Sequence, residues 1–283
     1  MTSTPPHVTV RPPHSASAPT MLPMAVSVEV MTRWDDADRH GHVNNAAYLA
    51  LLRTAHDLAV ELEPDAGLAR AADLRALEIT HRAPSGPGAV VTVLVEPLAA
   101  DGELRRVGYR LSVARVLIAE ATATWQLSGP PLLFSLPEIA EVDGRPFSFK
   151  QAVRTYEIGP GGGARPQAIV QWLEHAVFRA SQRAGWSPER MKEADFVPLV
   201  IGHHLVLGEP VTEGETMEVT SRLVQLRRVS GIWHHEVRRA DGALVAADHT
   251  RGAFVDLAGR IHAAPRQLLD DLVRGEPVAS DDR

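Results

Sequence analysis

The order of predicted elements repeats once along this chain of 283 residues. In the first copy, a strand-like alternation at residues 26–33 leads to an amphipathic helix over 45–60, and four strand-like runs follow. In the second copy, a strand at 152–158 precedes a helix over 165–184, again with four runs behind it. Each helix has one apolar stripe that a sheet must cover, so the repeat predicts two domains of one α+β fold.

Four strand-like runs follow each helix, and a similar turn occurs in each copy. They lie at residues 77–82, 89–98, 104–114 and 116–127 in the first copy, and at 198–207, 216–225, 232–239 and 244–257 in the second. Asp101-Gly102 and Asp241-Gly242 are hairpin signals between two runs of each copy. A short helix over 267–273 is predicted to follow the last strand.

These patterns divide the chain into four parts. Residues 1–24 form a Pro- and Ser-rich tail without periodicity, which predicts disorder. The first domain takes residues 25–128 and the second takes 150–275. The Pro- and Gly-rich segment 129–149 between them is predicted to be a surface linker.

Composition narrows the function classes. The net charge of -6 disfavours nucleic acid and anionic membranes as partners. The chain has no cysteine, which excludes disulfides, thiolate metal sites and a cysteine nucleophile. No apolar run has the length of a membrane span, and the first residues do not form a secretory signal. We therefore expect a cytoplasmic protein that needs no cofactor.

The loops that lead into the two helices differ in chemistry. The loop at residues 36–45 reads Asp-Ala-Asp-Arg-His-Gly-His-Val-Asn-Asn, whereas that at 157–166 is rich in Gly and Pro. Superposing the apolar stripes of the helices pairs the loops residue by residue. The pairs are Asp38 with Gly159, Gly41 with Gly162, His42 with Gly163, and Asn45 with Pro166. The second loop is thus a degenerate copy, and we expect one working site.

Residues 34–48 resemble a known motif. They read W-D-D-A-D-R-H-G-H-V-N-N-A-A-Y, similar to the W-x-D-x-D-x-x-G-H-V-N-N-x-x-Y of 4-hydroxybenzoyl-CoA-type thioesterases. They also resemble the D-x-D-x-N-x-H-V-N-N of the C-terminal half of acyl-ACP thioesterases. Residues 153–160 and 173–176 resemble the N-terminal half of the acyl-ACP thioesterases. The pattern of those enzymes there is R-S-Y-E-I-G, followed later by L-Q-E-T-A. The two halves of this chain therefore stand in the opposite order from the corresponding halves of the plant acyl-ACP thioesterases.

The resemblance implies both a fold and an activity. The fold is two tandem hotdog domains, each a long helix wrapped by an antiparallel sheet, paired as an internal pseudo-dimer. The activity is hydrolysis of acyl-CoA or acyl-carrier-protein thioesters. Homo-oligomers of the double-hotdog unit are also possible. Asp38 stands at the place of the catalytic Asp of the 4-hydroxybenzoyl-CoA enzymes. His42, Asn44 and Asn45 match the His and the Asn pair of the acyl-ACP pattern.

One position of the loop departs from the acyl-ACP pattern, and one position of the second helix resembles a different subgroup. His40 stands where those enzymes have an Asn. Another subgroup of hotdog thioesterases uses a Glu on the helix, and Glu174 occupies such a place in the second half. The matching residue of the first half is Arg53. The resemblance therefore offers one carboxylate from each half, Asp38 and Glu174.

The residues themselves fit thioester hydrolysis. The reaction needs an activated water or a carboxylate nucleophile, together with donors for the oxyanion. A loop entering a helix offers free N–H groups and the positive end of the helix dipole. Asp38 would act as base or nucleophile, His42 would assist proton transfer, and Asn45 would hold water or the carbonyl. The expected substrate-binding residues are Gly41, Val43, Asn44 and Tyr48.

Other interpretations remain at this stage. Asn44 and Asn45 are good helix caps, and Glu174 is compatible with an exposed helix face. His40 and His42 form an H-x-H pair, which could be part of a metal site. His203-His204 or His234-His235 would have to supply the remaining ligands, so the sequence signal for a metal site is weak. A hotdog hydratase would carry D-x-N-P-x-H, and no Pro occurs in this loop. A non-catalytic acyl-thioester binding protein is the third alternative.

Overall fold

The computed structural model describes residues 24–38, 41–68, 70, 72–139 and 144–274. His40 and nearly all of the predicted tail lie outside the described residues.

In the described part of the first half there are one long helix and five strands. In chain order they are β1 (Val26–Met31), α1 (Asn45–Leu62), β2 (Asp73–His81), β3 (Val90–Asp101), β4 (Leu104–Val113) and β5 (Val116–Gln126). Valines 91, 93 and 95 of β3 are completely buried while their neighbours alternate outward, because successive side chains of a strand point to opposite faces. Burying each valine side chain contributes about 1.5–3 kcal/mol to the free energy of folding. The buried face of β3 forms the core beneath α1.

The second half repeats this order and adds two short helices. Its elements are β6 (Phe147–Ala152), α2 (Pro166–Arg183), α3 (Pro188–Glu193), β7 (Val197–Leu207), β8 (Thr216–Arg227), β9 (Ser230–Arg238), β10 (Leu244–Val255) and α4 (Arg266–Arg274). The helix α3 was not predicted from the sequence. The final short helix was predicted and is confirmed as α4.

The ten strands found among the described residues belong to one antiparallel sheet. Its order is β1-β3-β4-β5-β2-β7-β10-β9-β8-β6, so each half supplies five adjacent strands. The halves join at its centre, where β2 pairs with β7 from Ala76 opposite Val206 to Thr80 opposite Gly202. The helices α1 and α2 also contact each other. The predicted α+β class, with a long helix against an antiparallel sheet in each half, is confirmed.

One predicted strand was wrong. The sequence suggested a strand at 152–158, but the strand is β6, which begins at Phe147 inside the predicted linker. Residues Thr155–Glu157 instead form a single 3-10 turn. Glu157 closes this turn because its carboxylate accepts the backbone N–H of Arg154 at 2.8 Å. The same turn occurs at Trp34–Asp36 in the first half, so the two halves enter their helices in the same way.

Candidate active site

The loop before α1 is closed by its own backbone. The N–H of Asp38 donates to the carbonyl of His42 at 2.7 Å, and the N–H of Gly41 donates back to Asp38 at 3.0 Å. Gly41 has a φ of +78°, a conformation that an L side chain rarely adopts. The Asp38 carboxylate adds a third bond by accepting the N–H of His42 at 3.1 Å. The loop therefore holds Asp38 and His42 in a fixed turn just before the N-terminus of α1.

The second loop has the same backbone without these side chains. Gly159 donates to Gly163 at 2.8 Å, and Gly162 donates back to Gly159 at 3.0 Å. Gly162 has a φ of +80°. The residue-by-residue pairing inferred from the helix stripes therefore holds in three dimensions. The side chains of Asp38, His42 and Asn45 are what distinguishes the first loop.

Asn44 connects the first loop to the second half. As the N-cap of α1, its Oδ1 accepts the N–H of Ala46 at 2.8 Å. Its Nδ2 donates to Oε2 of Glu174, which lies on α2, at 3.2 Å. The structure thus brings together three of the residues singled out from the sequence, since Asn45 also interacts with this carboxylate. The capping role of Asn44 is confirmed, and the same side chain meets the opposite helix.

The backbone donors of this loop are mostly occupied. Val43 donates its N–H to the carbonyl of Ser85, and Asn44 donates to that of Asp36, both at 2.8 Å. Ala47 donates to Asn44 at 3.0 Å. Between Gly41 and Ala47, only the backbone N–H of Asn45 has no acceptor among the described residues. One donor therefore remains free for an oxyanion, rather than the whole run of N–H groups expected from the sequence.

Burial dominates the electrostatics of Glu174. It raises the pKa of the carboxyl, against the lowering effects of His203, Asn44 and Asn45. The charge of Asp38 raises the pKa further, which places Asp38 close enough to act on Glu174. A buried carboxyl with a raised pKa holds a proton more readily and is a stronger base when ionised.

The remaining predicted site residues occupy two environments. Asp38, Gly41 and His42 are exposed at the surface of the loop. Val43 and Tyr48 are buried beneath it. The Tyr48 hydroxyl shares a hydrogen bond with Ser85 Oγ at 3.1 Å, and its ring packs edge-on against His81. The Val43 and Tyr48 side chains therefore line the interior behind the loop.

The strands β7 and β10 carry a buried polar group that was not recognised in the sequence. His203 on β7 and Asp248 on β10 are completely buried, and His203 Nδ1 lies 3.0 Å from Asp248 Oδ2. Thr250 Oγ1 donates to the same carboxylate oxygen at 2.5 Å. His203 was considered only as a metal ligand. The signal available in the sequence was a His and an Asp at inward positions of otherwise apolar strands.

No family model and no curated protein matches this sequence. Solved structures do match it. A putative oleoyl thioesterase from Lactobacillus plantarum superposes with a TM-score of 0.62 at 12% identity, over 83% of this chain and 98% of that one. An acyl-ACP thioesterase from Bacteroides thetaiotaomicron superposes with a TM-score of 0.58 at 10% identity, over 81% and 97%. The 12:0-ACP thioesterase from Umbellularia californica gives 0.57 at 10% identity, over 81% and 93%.

The chain has a double hotdog fold. The resemblance seen in the sequence is confirmed at this level. At identities of 10–12%, the likeness shows the fold alone.

Two further histidine pairs of this double hotdog lie on adjacent strand positions. His234 and His235 face opposite sides of the sheet, as expected from the strand period. His235 is buried against Ser221 Oγ at 2.6 Å, while His234 lies 3.0 Å from His249. His204 likewise points away from His203 and contacts Glu78. Among the described residues, no three His, Cys, Asp or Glu side chains form a group that could hold a metal ion.

The outer face of the sheet has a groove of about 370 Å³ in the first half. Its lining includes charged residues such as Glu78, Arg82, Glu96, Arg110 and Glu120. These residues alternate with the inward-facing ones, so the groove lies on the face opposite α1 and apart from Asn44 and Glu174. In the described part of the chain, no helix is long and apolar enough to cross a membrane.

Two histidines, the half-buried His81 and the buried His235, should make the double hotdog sensitive to acid. Burial lowers the pKa of His81 and of His235 from 6.5 to about 3. Both are neutral in the fold, whereas the unfolded chain protonates them below pH 6.5, so stability falls as pH drops from 6.5 toward 3. The limit is about 1.4 kcal/mol per pH unit for each histidine.

Urea unfolding between pH 7 and pH 4 measures this loss. The His235→Gln variant, which keeps a partner for Ser221, should show a shallower fall in unfolding free energy with acid than the unmodified chain. Equal slopes in the two proteins would contradict the assignment.

Proposed function

We propose that this chain is a cytoplasmic thioesterase that hydrolyses acyl-CoA or acyl-carrier-protein thioesters to the free acid and the thiol. The observation that carries the proposal is the junction of Asn44 with Glu174. There the polar loop and helix N-terminus of one half meet a half-buried glutamate of the other half, one of whose carboxylate oxygens is fully buried. The solved structures of the same fold that are named thioesterases support this choice.

The chemistry follows from the positions of these groups. Ionised Glu174 accepts a proton from water, and the hydroxide formed adds to the thioester carbonyl carbon. The oxyanion faces the positive end of α1 and the free N–H of Asn45. The C–S bond then breaks, and the proton held by Glu174 passes to the departing thiolate. Water and protein groups suffice for this sequence of steps.

Asp38 offers a second route within the same site. Its carboxylate would add to the thioester carbonyl, release the thiol and form an anhydride, which water would then cleave. Asp38 lies on the exposed loop, where an acyl thioester can reach it without opening the fold. The His42 side chain, on the same loop, would assist proton transfer. The two routes differ in whether a water molecule or the Asp38 carboxylate attacks the thioester carbonyl carbon.

The decisive experiment is a thiol-release screen. Acyl-CoA substrates of increasing chain length, and aryl-CoA substrates, should be compared with the matching carrier-protein thioesters. Thiol release from at least one class supports the proposal. Hydration of enoyl-CoA without thiol release would favour the hydratase alternative, and tight acyl-CoA binding with neither reaction would favour the binding protein.

The two loop glycines provide a matched pair of variants. Alanine at a positive φ costs about 1 kcal/mol or more, and both positions have open space for a methyl group. We expect Gly41→Ala and Gly162→Ala to reduce the unfolding free energy by similar amounts. Only Gly41→Ala should also lower kcat/KM, because only its loop carries Asp38 and His42. Equal kcat/KM values for the two variants would argue against a role for the first loop.

A further inference from the structure

The buried polar group of the second half replaces apolar residues of the first. The strand registers give the counterpart of each residue when the pairs are followed from β1 and from β6 across the sheet. The counterparts are Leu77 for His203, Ala121 for Asp248 and Ala123 for Thr250. The first half thus shows that this fold forms with an apolar core at all three positions.

Burying an ionisable pair where the fold accepts apolar residues is unfavourable unless the pair serves another purpose. Removing two charges from water is unfavourable, and their attraction offsets this cost only where the geometry is excellent and the remaining polar atoms are also hydrogen-bonded. His203 and Asp248 are fully buried, with Thr250 beside them. The stability of the fold therefore does not account for them.

Two buried polar atoms, one on His203 and one on Glu174, have no hydrogen-bond partner among the described residues. His203 donates Nδ1–H to Asp248, which fixes the plane of the imidazole. Its Nε2 is buried and has no hydrogen-bond partner among the described residues. Oε1 of Glu174 is buried and without a partner in the same sense. His203 and Glu174 act on each other electrostatically, so the two unpartnered atoms belong to neighbouring groups.

Several charges act on His203. Burial alone would lower its pKa, but Asp248 and Glu174 outweigh burial and Arg251 together, so the pKa of His203 is raised and the imidazolium is favoured. His81 and His235 also interact with it. The cation in turn lowers the pKa of Glu174.

We propose that Asp248 and Thr250 hold His203 so that its Nε2 side faces Glu174 and controls how readily that carboxyl takes up a proton. His203 is then a positioning residue that acts through Glu174 from the half that lacks the polar loop. The inference rests on the proposed function, in which Glu174 is the base. It assigns to the second half the buried part of a composite site.

The test replaces the pair by the residues of the first half. The double variant His203→Leu/Asp248→Ala leaves no orphaned charge, and exchanges of this kind are often neutral or stabilising. The matched control is His56→Gln, because His56 is an equally buried histidine of α1 that bonds to Tyr109 and is absent from the groups acting on Glu174. Thermal unfolding establishes that each variant is folded.

Two measurements decide the outcome. The protonated-carboxyl infrared band of Glu174, identified by its loss in Glu174→Gln, gives the titration midpoint without any substrate. We expect this midpoint, and the acid limb of kcat/KM, to move up by about one pH unit or more in the double variant. Neither should move in His56→Gln. On the acid limb, a shift of one unit lowers kcat/KM about tenfold.

An unchanged infrared midpoint in the folded double variant would overturn the inference. A chain that releases thiol from no substrate would instead refute the proposed function, whatever the infrared titration shows. The two failures are therefore distinguishable.

Discussion

We expect the Glu174→Gln variant to lose roughly 10²–10⁴-fold in kcat/KM for thioester hydrolysis, which is the contribution of a positioned general base. Glutamine preserves the shape of the side chain and can still accept the Asn44 amide proton, but it cannot take a proton from water. The acid limb of the pH profile should disappear together with the rate. Thiol release measured between pH 5 and pH 9 checks both effects.

The same variant should be more stable than the unmodified protein at neutral pH. Burial raises the pKa of Glu174, so the folded state holds this proton more tightly than the unfolded state. The ionised carboxyl therefore opposes folding increasingly as pH rises above its usual value of 4.5, and the difference vanishes below that value. Urea unfolding of both proteins at pH 4 and pH 8 separates a lost base from a lost fold.

The matched control is Arg53→Gln. Arg53 stands on α1 where Glu174 stands on α2, and it pairs with Asp57 at the surface. This substitution should leave kcat/KM within about threefold, since an exposed ion pair contributes at most about 1 kcal/mol. If Glu174→Gln keeps kcat/KM within the same range, Glu174 is not the base, and the proposed route through it fails.

The sequence predicted the loops better than it predicted their surroundings. The helix stripes paired Gly41 with Gly162, and both glycines have the same left-handed conformation. The pairing worked because the apolar period fixes the register of each helix, and the two loops before the helices have the same length. The strand β6 was not predicted because its six residues lie at the end of a Pro- and Gly-rich segment and show no long alternation of apolar and polar residues.

The contact between the halves could not be predicted from local patterns. Glu174 lies off the centre of its own apolar stripe, which is also typical of an exposed helix residue. Only the α1–α2 contact places it against Asn44. His203 and Asp248 were missed for a related reason, since a strand pattern shows which side a residue faces but not which residue lies opposite it.

We expect the Asp38→Asn variant to lose most of its thioesterase activity while remaining folded. Asparagine keeps an oxygen to accept the N–H of His42, so the turn before α1 should persist. The nucleophile of the second route is removed, and so is a charge that raises the pKa of Glu174. If Glu174 is the base, the remaining activity should show an acid limb at lower pH, opposite to the shift expected for the His203→Leu/Asp248→Ala pair.

Asp38→Ala separates the chemical role of Asp38 from its structural role. Alanine removes the acceptor for His42, so this variant should be less stable than Asp38→Asn by about 1 kcal/mol, the net value of such a bond. If Asp38 takes part in the chemistry, both variants should lose activity by similar factors despite their different stabilities. If Asp38 only holds the loop, Asp38→Asn should retain near-normal turnover and Asp38→Ala alone should be impaired. Single-turnover experiments complete the distinction, because an acyl-enzyme that forms in the Glu174→Gln variant but not in Asp38→Asn would identify Asp38 as the nucleophile.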